Sequence, residues 1–371
     1  MADEKYPAAD EPLYEPIGAG KIQHDDENDA GDTSSPGGAQ VRLLVRSARA
    51  AALLTVRSGR FWWESAAILG ACWGTGTLFV IALVTGGDLP PESHAWVYML
   101  TAAMLVLVSC VLAVRWGDVQ RGTRPDPAEG SVDGPLLDWA RCSAKGLVFA
   151  SVSVVFLLLL AFWSESSPAV AGVTYVLMML EVMVFGGIAA GAARWFEGQW
   201  GRALAWGVAA LLLVGNVVAV IALLPSVRAY EPVLVAINIQ RDELGRVVSY
   251  RCSPEVRGIA EVYHTERIFW MATSNPMVIL ALIAGEAEPK ENALGWLPGE
   301  LQNAAEGTQV PCVEGQEQEK TGAEMPLALI GVGMQSGAAG ILLAGGHRAA
   351  RRRLNPCRLN PGKARSGRLS A

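Results

Sequence analysis

Charge is what this chain has least of. Only 18% of its 371 residues are Asp, Glu, Lys or Arg, where a soluble domain carries about a quarter. Long uncharged apolar runs account for the deficit, and they exclude an ordinary cytosolic globular enzyme. Cysteine is scarce as well: six in the whole chain are too few for a disulfide-built scaffold. The first 40 residues hold no apolar core, so no cleavable signal peptide is expected and the first apolar run must start insertion. Zinc His-Glu-x-x-His spacing, a P-loop and a complete dinucleotide fingerprint are all missing. The sequence therefore predicts no enzyme, no cofactor and no metal. His24-Asp25-Asp26-Glu27 invites a metal, but Ala30 stands where a calcium loop needs glycine, and no Glu closes the loop.

What is present is apolar length. A bilayer core of about 30 Å takes roughly 20 apolar residues in a helix, and six stretches qualify: 65–85, 95–114, 146–163, 169–193, 203–225 and 326–346. The first five form an expected bundle over 65–225. The sixth is the least apolar, with Gln335, Ser336 and six glycines, and is expected to pack inside the bundle. A shorter run, 277–284, is too short to span and reads as a buried strand or helix of a soluble module. The fold expected is an α-helical integral membrane protein with six transmembrane helices and a small α+β or mostly-β exoplasmic domain.

Lys and Arg near the spans set the orientation. Loops 86–94 and 164–168 have none, whereas 41–64 carries five arginines, 115–145 five basic residues and the tail 347–371 eight. Both termini are thereby expected in the cytoplasm, at the plasma membrane rather than an internal one. Trp62, Trp63, Trp96, Trp116, Trp163, Trp195 and Trp200 mark the span ends, where an indole prefers the headgroup level.

Residues 1–40, with ten acids against two lysines, are too polar to offset their ordering entropy and read as a disordered acidic tail. In 41–64, Arg42, Arg46, Arg49, Arg57 and Arg60 fall on one side of a helix at ~100° per residue, with Leu43, Leu44, Ala51 and Leu54 broadly opposite. That predicts a basic amphipathic helix on an anionic inner leaflet, or an ordinary positive-inside anchor. Arg351, Arg352 and Arg353 of the tail are further lipid-binding candidates. Residues 226–325 form the expected exoplasmic domain. A hairpin joins 233–239 to 246–250, and strands are plausible at 258–264, 266–272 and 277–284. Cys252 and Cys312 share this side and are expected to form a disulfide. Fifteen acids against eight bases argue against nucleic acid, so the domain's partner is an unknown protein or ligand.

Inside the bilayer, Gly70 and Gly74, Gly187 and Gly191, and Gly333 and Gly337 are small residues four apart, a spacing that lets helices approach closely. They predict a tight bundle or a homodimer. Glu181 is the pointed residue. A charged acid at mid-span costs ~2.5–3.5 kcal/mol, and no Lys, Arg or His lies within a span to pair with it. Its expected partners are Asn216, Gln335 or Ser336. The two readings are a proton-coupled site and a single interhelical hydrogen bond.

Phe61-Trp62-Trp63-Glu64 leading through a span, Gly87-Asp88-Leu89-Pro90, and then a second span resemble the opening of certain uncharacterised fungal multi-pass membrane proteins. The likeness covers about 50 residues. It implies an exoplasmic domain before a final helix and basic tail, and no activity. Gly333 to Gly340 is similar to the serine helix of rhomboid proteases over eight residues. No later span supplies a base, and His347 on the same helix cannot fold back on Ser336. The reading is therefore a non-enzymatic membrane component sensing or binding through its exoplasmic domain, with a proton- or cation-coupled transporter or channel using Glu181 as the alternative.

Overall fold

The computed structural model describes residues 36–83, 93–119, 134–196, 198–233, 236–241, 247–252, 258–287, 297–306, 312–313, 316–317 and 326–354. The chain divides into two compact units, Met1–Arg42 and Leu43–Ala371. Of the first, only the opening turns of helix α1 (Pro36–Arg57) are described. The 1–35 stretch, with its acidic cluster, lies outside the described residues. Helix α1 begins inside the segment expected to be disordered. Proline suits a first helical turn, where its missing N–H is not needed.

Six helices are long and apolar enough to cross a membrane, which makes this a multi-pass α-helical membrane protein. They are α2 (Gly59–Leu83), α3 (Ser93–Val119), α4 (Gly134–Trp163), α5 (Pro168–Trp195), the α6–α7 rod and α10 (Leu327–Leu354). The rod joins α6 (Gln199–Ala210) to α7 (Asn216–Leu223) through a π turn at Leu211–Gly215 and ends in a 3₁₀ turn, Leu224–Val227. Every expected span is there, but helices overrun their apolar cores. The largest correction is α4, which starts at Gly134 rather than Gly146. Asp138, Arg141 and Lys145 interrupt the apolar run without interrupting backbone hydrogen bonding. A second correction concerns 41–64: the basic helix stops at Arg57, and Arg60 to Glu64 belong to the first turns of α2.

Ion pairs tie one end of the bundle together. Arg194 of α5 meets Asp138 of α4 at 2.7 Å, and Arg202 of α6 meets Asp118 of α3 at 2.6 Å. At the other end the Tyr98 hydroxyl donates to the Ser167 carbonyl at 3.2 Å, and the His94 and Trp163 rings lie 4.5 Å apart. The first is the basic end of the bundle and the second its strand end. Helices α3 and α5 are central, with 72% of their apolar windows buried against 28% for α10. The expectation that α10 packs inside the bundle is thus corrected: it lies on the periphery, against α5. Trp116, expected at the headgroup level, is also buried, edge-on to Phe149.

Lipid tails are as apolar as Leu, so close packing must hold the helices together. A Cβ on Gly191 would lie 2.4 Å from the Leu342 carbonyl carbon, and one on Gly187 3.1 Å from Leu343. This pair therefore serves the α5–α10 contact within one chain. Gly70, Gly74, Gly333 and Gly337 have nothing within 4 Å among the described residues. The seam of α10 is made instead by residues not singled out from the sequence. A Cβ on Gly331 would come within 1.9 Å of the Thr273 carbonyl oxygen, and one on Gly345 within 2.4 Å of the Trp195 ring.

After the rod, β1 (Arg228–Val233) pairs antiparallel with β4 (Gly258–Tyr263). Between them in sequence, β2 (Ala236–Arg241) pairs antiparallel with β3 (Val247–Cys252). Short strands β5 (Cys312–Val313) and β6 (Gln316–Glu317) form a third pair. A strand was plausible at 266–272 and does not form, and 277–284, left open as strand or helix, is a helix. Instead two 3₁₀ turns, Thr265–Arg267 and Phe269–Ser274, lead into helix α8 (Pro276–Ala287). Asn275 and Pro276 start that helix, the Asn275 carboxamide oxygen accepting from the Met277 N–H at 2.8 Å. Ile279, Leu280, Leu282 and Ala284 are buried. A short helix apolar on all sides belongs in a core, and α8 packs on α3, α5 and α10. The 226–325 stretch is therefore not a module apart: its middle enters the bundle. Helix α9 (Leu297–Glu306) adjoins both α8 and the Thr265–Arg267 turn, so the chain enters and leaves at the strand end.

Gly331→Val should cost at least ~1–3 kcal/mol, the usual range for forced overpacking, read as a lowered Tm in detergent, while Gly70→Val should leave Tm unchanged. Similar shifts for the two would contradict this packing.

Candidate functional site: a polar cluster within the bundle

Glu181 lies at the middle of α5 and is fully buried. Its Oε2 is 3.9 Å from the Cys110 Sγ of α3, and the Gln335 side chain of α10 adjoins the same carboxyl. Its Oε1 has no hydrogen-bond partner among the described residues. Gln335, also fully buried, donates from Nε2 to the Ser274 carbonyl at 2.9 Å. Its own Oε1 is likewise unpartnered. Two oxygen acceptors thus stand unsatisfied in one buried neighbourhood. Protonation of the carboxyl or a bound donor would supply what they lack.

Asn216 and Asn275 complete the cluster. Asn216 donates from Nδ2 to the Leu212 carbonyl at 2.9 Å and to the Ser274 hydroxyl at 3.1 Å. Asn275 donates from Nδ2 to the Leu213 carbonyl at 2.8 Å and to the Asn216 Oδ1 at 3.2 Å. The π turn explains these acceptors. There the N–H of Asn216 reaches back to the Leu211 carbonyl, so nearby carbonyls lose their regular partners. Two asparagine carboxamides take them up. Backbone released from regular hydrogen bonding in a bilayer needs such partners inside the protein.

The depth of the cluster follows from helix geometry. At ~2 Å per residue the Phe269–Ser274 turn descends ~12 Å from the strand end. At ~1.5 Å per residue Gln335 lies ~12 Å along α10 from Leu327. The two agree, and both place Ser274 and Asn275 well inside a core of about 30 Å.

Of the expected site residues, Glu181, Asn216 and Gln335 come together, though Asn216 connects toward Glu181 only through Ser274 and Gln335. Ser336 does not join them: it is exposed on the outer side of α10, because consecutive helical residues point about 100° apart. Cys110, Ser274 and Asn275 were not anticipated. Asn275-Pro276 ahead of an apolar run is a helix-start signal that would have found two elements of the entering segment. Among the described residues, no group of His, Cys, Asp and Glu is placed to hold a metal ion.

The remaining candidates lie elsewhere. Arg42, Arg46, Arg49 and Arg57 are exposed along α1, as are Leu43, Leu53 and Leu54. Arg60 pairs with Glu64 at 2.8 Å. Arg351 and Arg352 are exposed at the end of α10, and the side chain of Arg353 lies outside the described residues. Strand β3 ends at Cys252, and the β5–β6 pair that opens at Cys312 adjoins it. The two cysteine side chains lie outside the described residues, so the disulfide stays an expectation of the sequence. On the β1–β4 pair, the Glu261 carboxylate accepts from Arg228 and from the Tyr263 hydroxyl. That hydrogen bond holds the Tyr263 phenol above its ordinary range.

Comparisons with family models, with curated proteins and with solved structures returned no match.

Asn275→Ala should destabilise the protein by about 1–3 kcal/mol by leaving buried acceptors unpaired, measured by thermal unfolding in nanodiscs. Ser336→Ala, on the outer side of the neighbouring helix, should stay within about 0.5 kcal/mol. Equal losses would remove Asn275 from the cluster.

Proposed function

We propose that this protein is a non-enzymatic membrane component that senses or binds through its strand-bearing segment on the exoplasmic side, with both termini cytoplasmic. The observation that carries the reading is continuity. Strand β4 runs through His264 and the Thr265–Arg267 turn into Phe269–Ser274. That turn's last residue, with Asn275, is held by side chains of α7 and α10. A change at the strands is transmitted along this short path to a buried cluster shared by several spans. An effector acts by differential contact with two states, and a half-satisfied polar cluster is an economical place for a second arrangement.

Hydrogen exchange on the full chain in nanodiscs tests the path. With Asn275→Ala, exchange should speed up at least about tenfold, one decade per 1.4 kcal/mol, in β1, β4 and the 331–342 part of α10 together. Acceleration confined to 269–287 would break the proposed connection.

A second reading, proton- or cation-coupled transport, is favoured by one feature, the unpartnered Oε1 of Glu181. Irregular backbone well inside a bundle, here the π turn and the start of α8, is also a habit of transporters. Under this reading, proteoliposomes show proton or cation flux that falls at least about a hundredfold in Glu181→Gln, as expected when an essential titrating group is removed. Flux absent from both proteins, or equal in both, would dismiss it.

A further inference from the structure

At the basic end, a cavity of about 490 Å³ opens where the end of α1 and the starts of α2 and α4 converge on the end of α3. Its volume is in the range of small-ligand sites, and its wall has two characters. Arg60, Arg115, Arg141 and Lys145 contribute four cations, and Glu64 is the one carboxylate in the lining. Leu54, Phe61 and Trp116 supply an apolar side. Glu64 is engaged by Arg60 at 2.8 Å. The Lys145 ammonium lies 4.8 Å from the centre of the Trp116 ring. Among the described residues, Arg115, Arg141 and Lys145 have no carboxylate within ion-pair distance.

Four cations that share a single lining carboxylate, beside low-dielectric helices, repel one another and focus a positive potential. Guanidinium groups match phosphate oxygens in a fork geometry, and a cationic wall with an apolar neighbour suits a headgroup on an acyl chain. Nearby Trp62 and Trp63 are 45% and 80% exposed, as fits the headgroup level. Basic pockets between spanning helices are suited to phosphorylated headgroups.

We propose that this cavity binds the phosphate groups of a polyanionic phospholipid, with Arg115, Arg141 and Lys145 as its ligands and Glu64 as a built-in competitor for Arg60. The leaflet, the inner one, rests on the cytoplasmic placement of the basic end. The site itself does not depend on the sensing reading.

The test uses the full chain in nanodiscs of phosphatidylcholine with dioctanoyl phosphatidylinositol bisphosphate as the probe. Arg141→Gln with Lys145→Gln should weaken binding about tenfold or more, given the strength of charge-assisted hydrogen bonds. Arg267→Gln, an exposed cation at the strand end, should change it less than about twofold, as exposed charges contribute little. Glu64→Gln should tighten binding, a gain that misfolding cannot produce. Inositol trisphosphate that competes at equal concentration would place the same phosphate chemistry on a soluble ligand, and failure to compete would assign the lipid. Probe binding that is absent, that survives the Arg141 and Lys145 double substitution, or that falls as much with Arg267→Gln overturns the site.

Discussion

Backbone polar groups inside a bilayer have no water to turn to, and most of this architecture follows from that constraint. A straight helix satisfies it by itself. The α6–α7 rod and the 269–287 segment do not, because one contains a π turn and the other changes from 3₁₀ to α-helix at Asn275. Their irregularities lie side by side, and each side's carboxamides serve the other's backbone or hydroxyl. Neither deviation would be tolerable alone facing lipid. Together they form a polar knot, and Gln335 ties it to α10.

That knot requires close approach, and close approach requires missing side chains. Gly331 lets α10 lie against the Thr273 carbonyl, and Gly191 lets it lie against α5 lower down. Gln335 sits between those two contacts along the helix and is brought inward by them. The glycines of α10 thus act on two sides: Gly331 and Gly345 make the intramolecular seam, while Gly333, Gly337 and Gly340 line a surface with no close neighbour among the described residues. Small residues at a helix surface are expected where another helix is to dock, so these open positions, with Gly70 and Gly74, are where the homodimer expected from sequence would form.

The two ends of the bundle differ in kind. At the strand end, contacts are a hydroxyl–carbonyl bond and an aromatic pair, with the polar cluster some way below. At the basic end, Asp118 pairs with Arg202 and Asp138 with Arg194, while the cations around the cavity exceed the carboxylates that line it. An uneven balance of this sort costs stability through self-repulsion unless an anion offsets it. It is also what an anionic membrane surface would reward.

Sequence by itself determined the six spans, because an uncharged run of roughly 20 residues has few other solutions, and it singled out Glu181, Asn216 and Gln335, since polar groups in such runs are conspicuous. The β2–β3 hairpin was legible from its alternation and its turn. Tertiary structure decided the rest. Whether 277–284 was strand or helix, and whether it lay outside or within the bundle, turned on its neighbours, as a short apolar run reads alike in both settings. Ser274 and Asn275 fall between two runs given as plausible strands, and nothing in the sequence marked the place where the chain enters the core. Ser336 and Gln335, adjacent in sequence and alike in polarity, were separated by the direction in which α10 faces α5. The cavity cations Arg115, Arg141 and Lys145 come from two helices and read in sequence as ordinary positive-inside charges. Their meeting in one cavity with Arg60 depends on how those helices pack, and a pattern along one chain does not encode the distance between two of its parts.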